Sequence, residues 1–283
     1  MSAVSVVVAY ALRECLRRRV FGVVLLLTVL FLALYALGVN AAFNEVEDFE
    51  GPVPVDDQVL TGSTLLGLAM FSILFLGAVL AAFLTLGAVR GDAESGLLQP
   101  LVVRPVGRDA LLVGRFAAAA IVCSAYVLAV FAVAVLITGA AGGWWPGNLV
   151  TPGLGLATGV TVIAALSLLG SIFLGSTANG IAVFMLFGAG LAAGLLGQIG
   201  EAIRVETLET VSEVTSWALP FEALYQSGLA SLTADVSGVT GVIVRLGPFG
   251  GAQEAGPLLW PWTLLYLALV AAAARVAFAR RDL

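Results

Sequence analysis

The chain has no lysine and no histidine; all 13 of its basic residues are arginine. That absence excludes a phosphate-binding P-loop, whose lysine must reach the nucleotide, and with it a histidine-ligated zinc site and a Ser-His-Asp triad. Cysteine and methionine are scarce, at 2 and 3 residues in 283, so soft-metal chemistry has few donors and no metal site is expected. Cys15 falls in an N-terminal helical segment and Cys123 inside an apolar run, so no disulfide is expected between them. Charge is short as well. With 11% charged residues, 60% hydrophobic residues and a mean hydropathy of +1.07, the chain has too little polar surface to cover a water-soluble globule.

What stands in place of charge is length of apolar run. Six stretches, 20–42, 63–89, 116–138, 153–175, 180–200 and 258–278, are uncharged through their middles. Each is close to the ~20 residues a helix needs to cross a bilayer. A membrane barrel would instead show alternating segments of about 10 residues. The expected fold class is an all-α polytopic membrane protein with six transmembrane helices, forming a single domain over residues 1–283.

Residues 2–19 precede the first span. Val4, Val7, Val8, Ala11, Leu12, Cys15 and Leu16 recur at i, i+3, i+4 spacing, with Arg13, Glu14 and Arg17 on the other side. That pattern suits an amphipathic helix lying in the headgroup plane, or a simple extension of the first span. A cleaved signal would carry its arginines before its apolar core, whereas here twelve residues precede Arg13.

Arginine placement orients the spans. With the N-terminus in the cytoplasm, 11 arginines fall in cytoplasmic segments, and only Arg204 and Arg245 fall outside. Five acidic residues lie inside and 13 outside, and Trp144, Trp145, Trp217, Trp260 and Trp262 all fall at the outer ends of spans or in outer loops. Both termini are therefore expected to be cytoplasmic. The first outer loop, 43–62, carries six acidic residues; a solvated acidic loop explains them better than a cation site.

Two further regions stand out. The run 180–200 contains Gly190 and Gly194 as a GxxxG pair, continued by Gly197 and Gly200, which marks a close helix-packing face toward a helix of the same chain or of a second copy. The segment 201–257 is too long for a tight loop. Leu208, Val211 and Val214 sit at helical spacing among glutamates, and Pro220 opens a second short helical pattern through Leu232, with Phe221, Leu224, Tyr225 and Leu229 on one face. This helix is too short to span a bilayer; it either lies on the outer surface or re-enters where protein shields its backbone. Residues 235–256 are glycine-rich and read as loop.

Between the second and third spans lies a polar island, 90–115. Asp92 suits an N-cap, Leu97, Leu98, Leu101 and Val102 form an apolar stripe, and Pro105 ends the turn, giving a short amphipathic cytoplasmic helix or a capped, solvated loop. The string ESGLLQPLVVRPVGR at 94–108, followed by LLVGR at 111–115, resembles the loop between spans two and three of ABC-2 type permeases. The family pattern, roughly E-x-G-T-L-x-x-L-L-x-x-P-[VI]-x-R followed by G-[KR], is matched at Glu94, Gly96, Leu101, Val102, Pro105, Val106, Arg108, Gly114 and Arg115. Leu97 stands where threonine is usual, and Pro100 should kink the helix near Gly96.

The resemblance extends to the N-terminal helix, the six spans and the long outer segment before the last. It implies that the island is a coupling helix seated in a cytosolic ABC ATPase, with Glu94, Gly96, Leu97, Leu98, Leu101, Pro105 and Arg108 forming the turn and its apolar seat. It further implies a permease working as a pair, with a second permease chain, in the cell membrane. The chain would bind no cofactor itself, ATP being held by the partner, and no nucleic acid. A secondary transporter would need charged groups near the midplane, and an intramembrane enzyme paired carboxylates or a nucleophile with its base; the spans offer neither.

Overall fold

The computed structural model describes residues 3–17, 19–47, 56–86, 108–232, 234 and 256–280. Among them are nine helices: α1 (Ala3–Arg17), α2 (Arg19–Glu47), α3 (Asp57–Thr85), α4 (Arg108–Gly142), α5 (Val150–Phe173), α6 (Ser176–Ile203), α7 (Glu206–Ala218), α8 (Pro220–Leu232) and α9 (Leu259–Ala279). Six of these, α2 to α6 and α9, are long and apolar enough to cross a membrane. The described chain is an all-α polytopic membrane protein.

The helices overrun the expected spans. α2 continues to Glu47 and α3 begins at Asp57, so the acidic stretch 43–62 is largely helical at both ends. α4 begins at Arg108 rather than at 116, so the last part of the polar island is already helix. Hydrocarbon thickness limits the apolar run but not the hydrogen-bonded helix, which continues into water wherever capping and propensity allow. At α3 the cap is visible: the Asp56 carboxylate accepts a hydrogen bond from the Val59 N–H at 3.1 Å.

α3 and α5 are the most buried spans, and α2 and α9 the least. α1 packs along α4, burying Ala11 and Cys15 of its apolar stripe while Tyr10 remains exposed. Cys123 is buried too, and no disulfide joins it to Cys15. Where side chains of equal hydrophobicity face one another and lipid, polar pairs fix which helices meet, at about 0.6 kcal/mol each. The Tyr35 and Thr138 hydroxyls pair at 2.6 Å, and Thr28 pairs with Tyr126, tying α2 to α4. Thr85 donates to the Ser167 hydroxyl at 2.6 Å, and the Asn179 amide donates to the Ser167 carbonyl at 2.9 Å, tying α3 and α6 to α5.

α7 and α8 form a helical hairpin folded back against the bundle. Arg204 ends α6 in the left-handed region at φ 56°, at a cost on the order of 1 kcal/mol for a non-glycine residue. Its N–H and that of Val205 both donate to the Gly200 carbonyl, and the chain reverses. Glycines set the approach. Gly200 lies against Leu208, Gly197 against Ser212, Gly194 against Glu222, and Gly190 against Phe221. On the other side, Gly159 faces Phe221 and Gly155 faces Leu224 of α8. Gly190 lies about 20 Å from the end of α6 at 1.5 Å per residue, so the hairpin tip reaches halfway along that helix. Phe221, Leu224, Tyr225 and Leu229, the apolar face expected for the second short helix, are all buried, so α8 is wedged between α5 and α6.

Candidate functional site

The two ends of the bundle differ in chemistry. At one end lie the start of α4 and the end of α9. Here the Arg275 guanidinium grips the Asp109 carboxylate with two contacts, Nη2–Oδ2 at 2.8 Å and Nε–Oδ1 at 3.1 Å, both side chains well exposed. Just inside, Leu112, Leu168, Ile172, Ala274 and Phe278 form a small apolar cluster joining α4, α5 and α9. A groove of about 360 Å³ runs from this ion pair along Val113, Phe116 and Leu267. Of the expected coupling residues, Arg108 is the first residue of α4; Glu94, Gly96, Leu97, Leu98, Leu101 and Pro105 lie outside the described residues.

At the opposite end, α6, α7, α8 and the start of α9 line a half-open cavity of about 600 Å³. Its wall includes Gly194, Gly197, Gln198, Glu201, Glu209, Ser212, Glu213, Trp217, Glu222, Gln226 and Trp262. Gly194 and Gly197, expected with Gly190 to form a packing face, therefore also line a cavity. Small residues at both positions let the hairpin approach, and the gap left between its two helices and α9 is the cavity itself.

Glu222 is the unusual member. Only 4% of it is exposed, and its Oε1 has no hydrogen-bond partner among the described residues. The carboxyl is turned onto Gly194, where any side chain would displace it. Gln226, one helical turn on, hydrogen-bonds the carboxyl, and Gln226 in turn accepts from the Gln198 amide at 3.2 Å. Burial raises the Glu222 pKa to about 7, with the Gln226 hydrogen bond pulling the other way. Beside it, burial and then the Glu222 charge raise the Tyr225 phenol as well. Trp217 and Trp262 meet edge to face at 5.4 Å, and the Trp262 indole N–H donates to the Trp217 carbonyl at 2.9 Å, fixing both rings on the wall.

Glu222 carried no signal as a site in the sequence, where it reads as one polar residue in a short apolar helix. The pair Glu222 and Gln226, at i and i+4 on the edge of the face formed by Phe221, Leu224 and Tyr225, was the available hint.

A family model described as ABC-2 family transporter protein matches residues 6–283. A comparison with curated proteins finds no match. The match runs from α1 through all six bilayer-length helices and past α9, far more than half of the chain. The chain is thus integral to a membrane, a component of transport rather than a catalyst, and it belongs to the ABC-2 transporter family.

Proposed function

We propose that this chain is the permease subunit of an ABC exporter in the cell membrane. Two permease chains form the pathway, and a separate cytosolic ATPase docks on the segment 90–115. The observation that carries this reading is the family match across 6–283. The charge pattern supports it: 11 of 13 arginines fall in the N-terminal helix, the 90–115 segment and the C-terminal end, which favours a cytoplasmic side for those regions and both termini. The chain has no lysine with which to build a P-loop, so ATP hydrolysis falls to a partner. Nucleotide-driven closure of two ATPases then moves the permeases through the segment that joins α3 to α4.

Leu97, Leu98 and Leu101 provide the apolar seat on the ATPase, and Glu94 and Arg108 hold the turn. Replacing Leu98→Asp puts a charge into that seat, and Arg108→Ala removes the turn's anchor. Both variants are expected to lose most of the co-purifying ATPase while still inserting in the membrane. ATPase retention and transport-coupled hydrolysis at the unaltered level in both variants would overturn the assignment. Proton-driven transport by the chain alone, without nucleotide or partner, would favour a secondary transporter instead.

A further inference from the structure

The cavity at the acidic end is built for positive charge. Among the described residues Glu201, Glu209, Glu213 and Glu222 line it and no arginine does. Glu209, Glu213 and Trp217 are exposed at its rim, while Glu222 stands buried behind them with an oxygen that nothing in the described residues satisfies. A buried carboxylate without a counter-charge costs several kcal/mol of desolvation, which a cation entering the cavity would offset. With its pKa raised to about 7, the carboxyl holds a proton part of the time near neutral pH, which a bound cation would displace.

Which cation follows from size and wall. Among the described residues no three acidic side chains converge closely enough to hold a metal ion. The volume of about 600 Å³ lies within the roughly 300–1,000 Å³ of small-molecule sites. The indoles of Trp217 and Trp262, held by their mutual contact, line the cavity, and indole ring faces attract an ammonium or phosphonium with an apolar body. A surface kept acidic only for solubility would not bury one of its carboxylates in the wall of a cavity that two tryptophans also line.

We propose that this cavity binds a bulky organic cation, with Glu222 as its counter-charge, Glu209 and Glu213 drawing it in, and Trp217 and Trp262 against its apolar body. That such a ligand is cargo rests on the permease reading; that it binds does not.

The test uses the full chain in nanodiscs of zwitterionic lipid at pH 8, with no nucleotide and no ATPase, titrated with radiolabelled tetraphenylphosphonium. Saturable binding of one probe per chain is expected, above the linear uptake of protein-free nanodiscs. Glu222→Gln should weaken it at least tenfold, and Trp217→Ala and the Glu209→Gln/Glu213→Gln double variant severalfold each. Tetraphenylborate, of the same shape and opposite charge, and calcium should both fail to compete. The proposal is overturned if uptake is only linear, if tetraphenylborate competes as well as the unlabelled cation, or if neither Glu222→Gln nor Trp217→Ala changes the affinity. Should Glu222→Gln fail to insert, the variants at the exposed rim decide alone. Leu98→Asp should bind the probe normally, so loss of ATPase docking and loss of the cation site are separate results.

Discussion

Asp109 and Glu222 are both carboxylates in the first turn of a helix, where the aligned backbone dipoles favour negative charge. Their surroundings are otherwise opposed. Asp109 is exposed and held by Arg275; Glu222 is buried, its Oε1 without a partner among the described residues, facing a glycine and the wall of a cavity. The contrast shows where the fold tolerates electrostatic cost. At the arginine-bearing end charges are matched in water and contribute little. At the acidic end a carboxyl is taken into the bundle with a hydrogen bond from Gln226 but with its Oε1 unpartnered among the described residues, and the packing of the α7–α8 hairpin holds it there. Groups retained at such a cost mark sites more often than well-matched surface pairs do.

The contrast breaks most severely if the hairpin is displaced. A Cβ at Gly155 would stand 2.7 Å from the Leu224 carbonyl oxygen, a backbone atom that cannot turn aside. Gly155→Leu is expected to cost about 3 kcal/mol, seen as a large fall in the temperature at which the detergent-solubilised chain loses its size-exclusion peak. Gly188→Leu on α6 is the control, since nothing lies within 4 Å of the point where its Cβ would stand, and it should leave that temperature almost unchanged. Equal losses in the two variants would mean that the hairpin does not rest on α5 as described.

Next in size is the response to pH. The Glu222 pKa rises from 4.5 to about 7 on folding, so between those values the folded chain holds more proton than the unfolded chain. Stability must therefore fall as pH rises from about 4.5 to about 7 and level off above. At about 1.4 kcal/mol for each pH unit of that window, the effect is at most about 3 kcal/mol. Glu222→Gln should flatten the thermal-stability profile across the window and match the low-pH stability of the parent. A slope that survives the substitution would assign it to another group.

The smallest effect belongs to the other carboxylate. Asp109→Asn removes an exposed pair whose worth is within about 0.5 kcal/mol, so its unfolding temperature should move little and its loss should shrink further in high salt. A fall as large as that of Gly155→Leu would show that the Asp109–Arg275 contact holds α4 to α9 far more strongly than an exposed ion pair does.

The difference between the two ends also explains what was readable in the sequence. Six spans announce themselves because about 20 consecutive apolar residues have few other uses, and α8 because Pro220 and the spacing of Phe221, Leu224, Tyr225 and Leu229 are local signals. Where α3 and α4 begin was not readable, since helix continues past the hydrocarbon under the control of a cap at Asp56 and of ordinary propensity. The glycine stripe from Gly190 to Gly200 was legible as a packing face, yet nothing local names the hairpin as what packs there. Glu222 was least legible of all. Its burial depends on a chain reversal at Arg204 and on glycines in two other helices, none of them adjacent to it in sequence. The expected coupling residues rest on a motif match over 94–115 and remain a proposal to be tested there.

The most direct test of the account is the amount of ATPase that co-purifies with the chain when each end is altered in turn. Leu98→Asp should remove most of it, while Glu222→Gln should retain it at the parent's level, separating the end proposed to receive the ATPase from the end that carries the cavity. Full retention in Leu98→Asp would contradict the account.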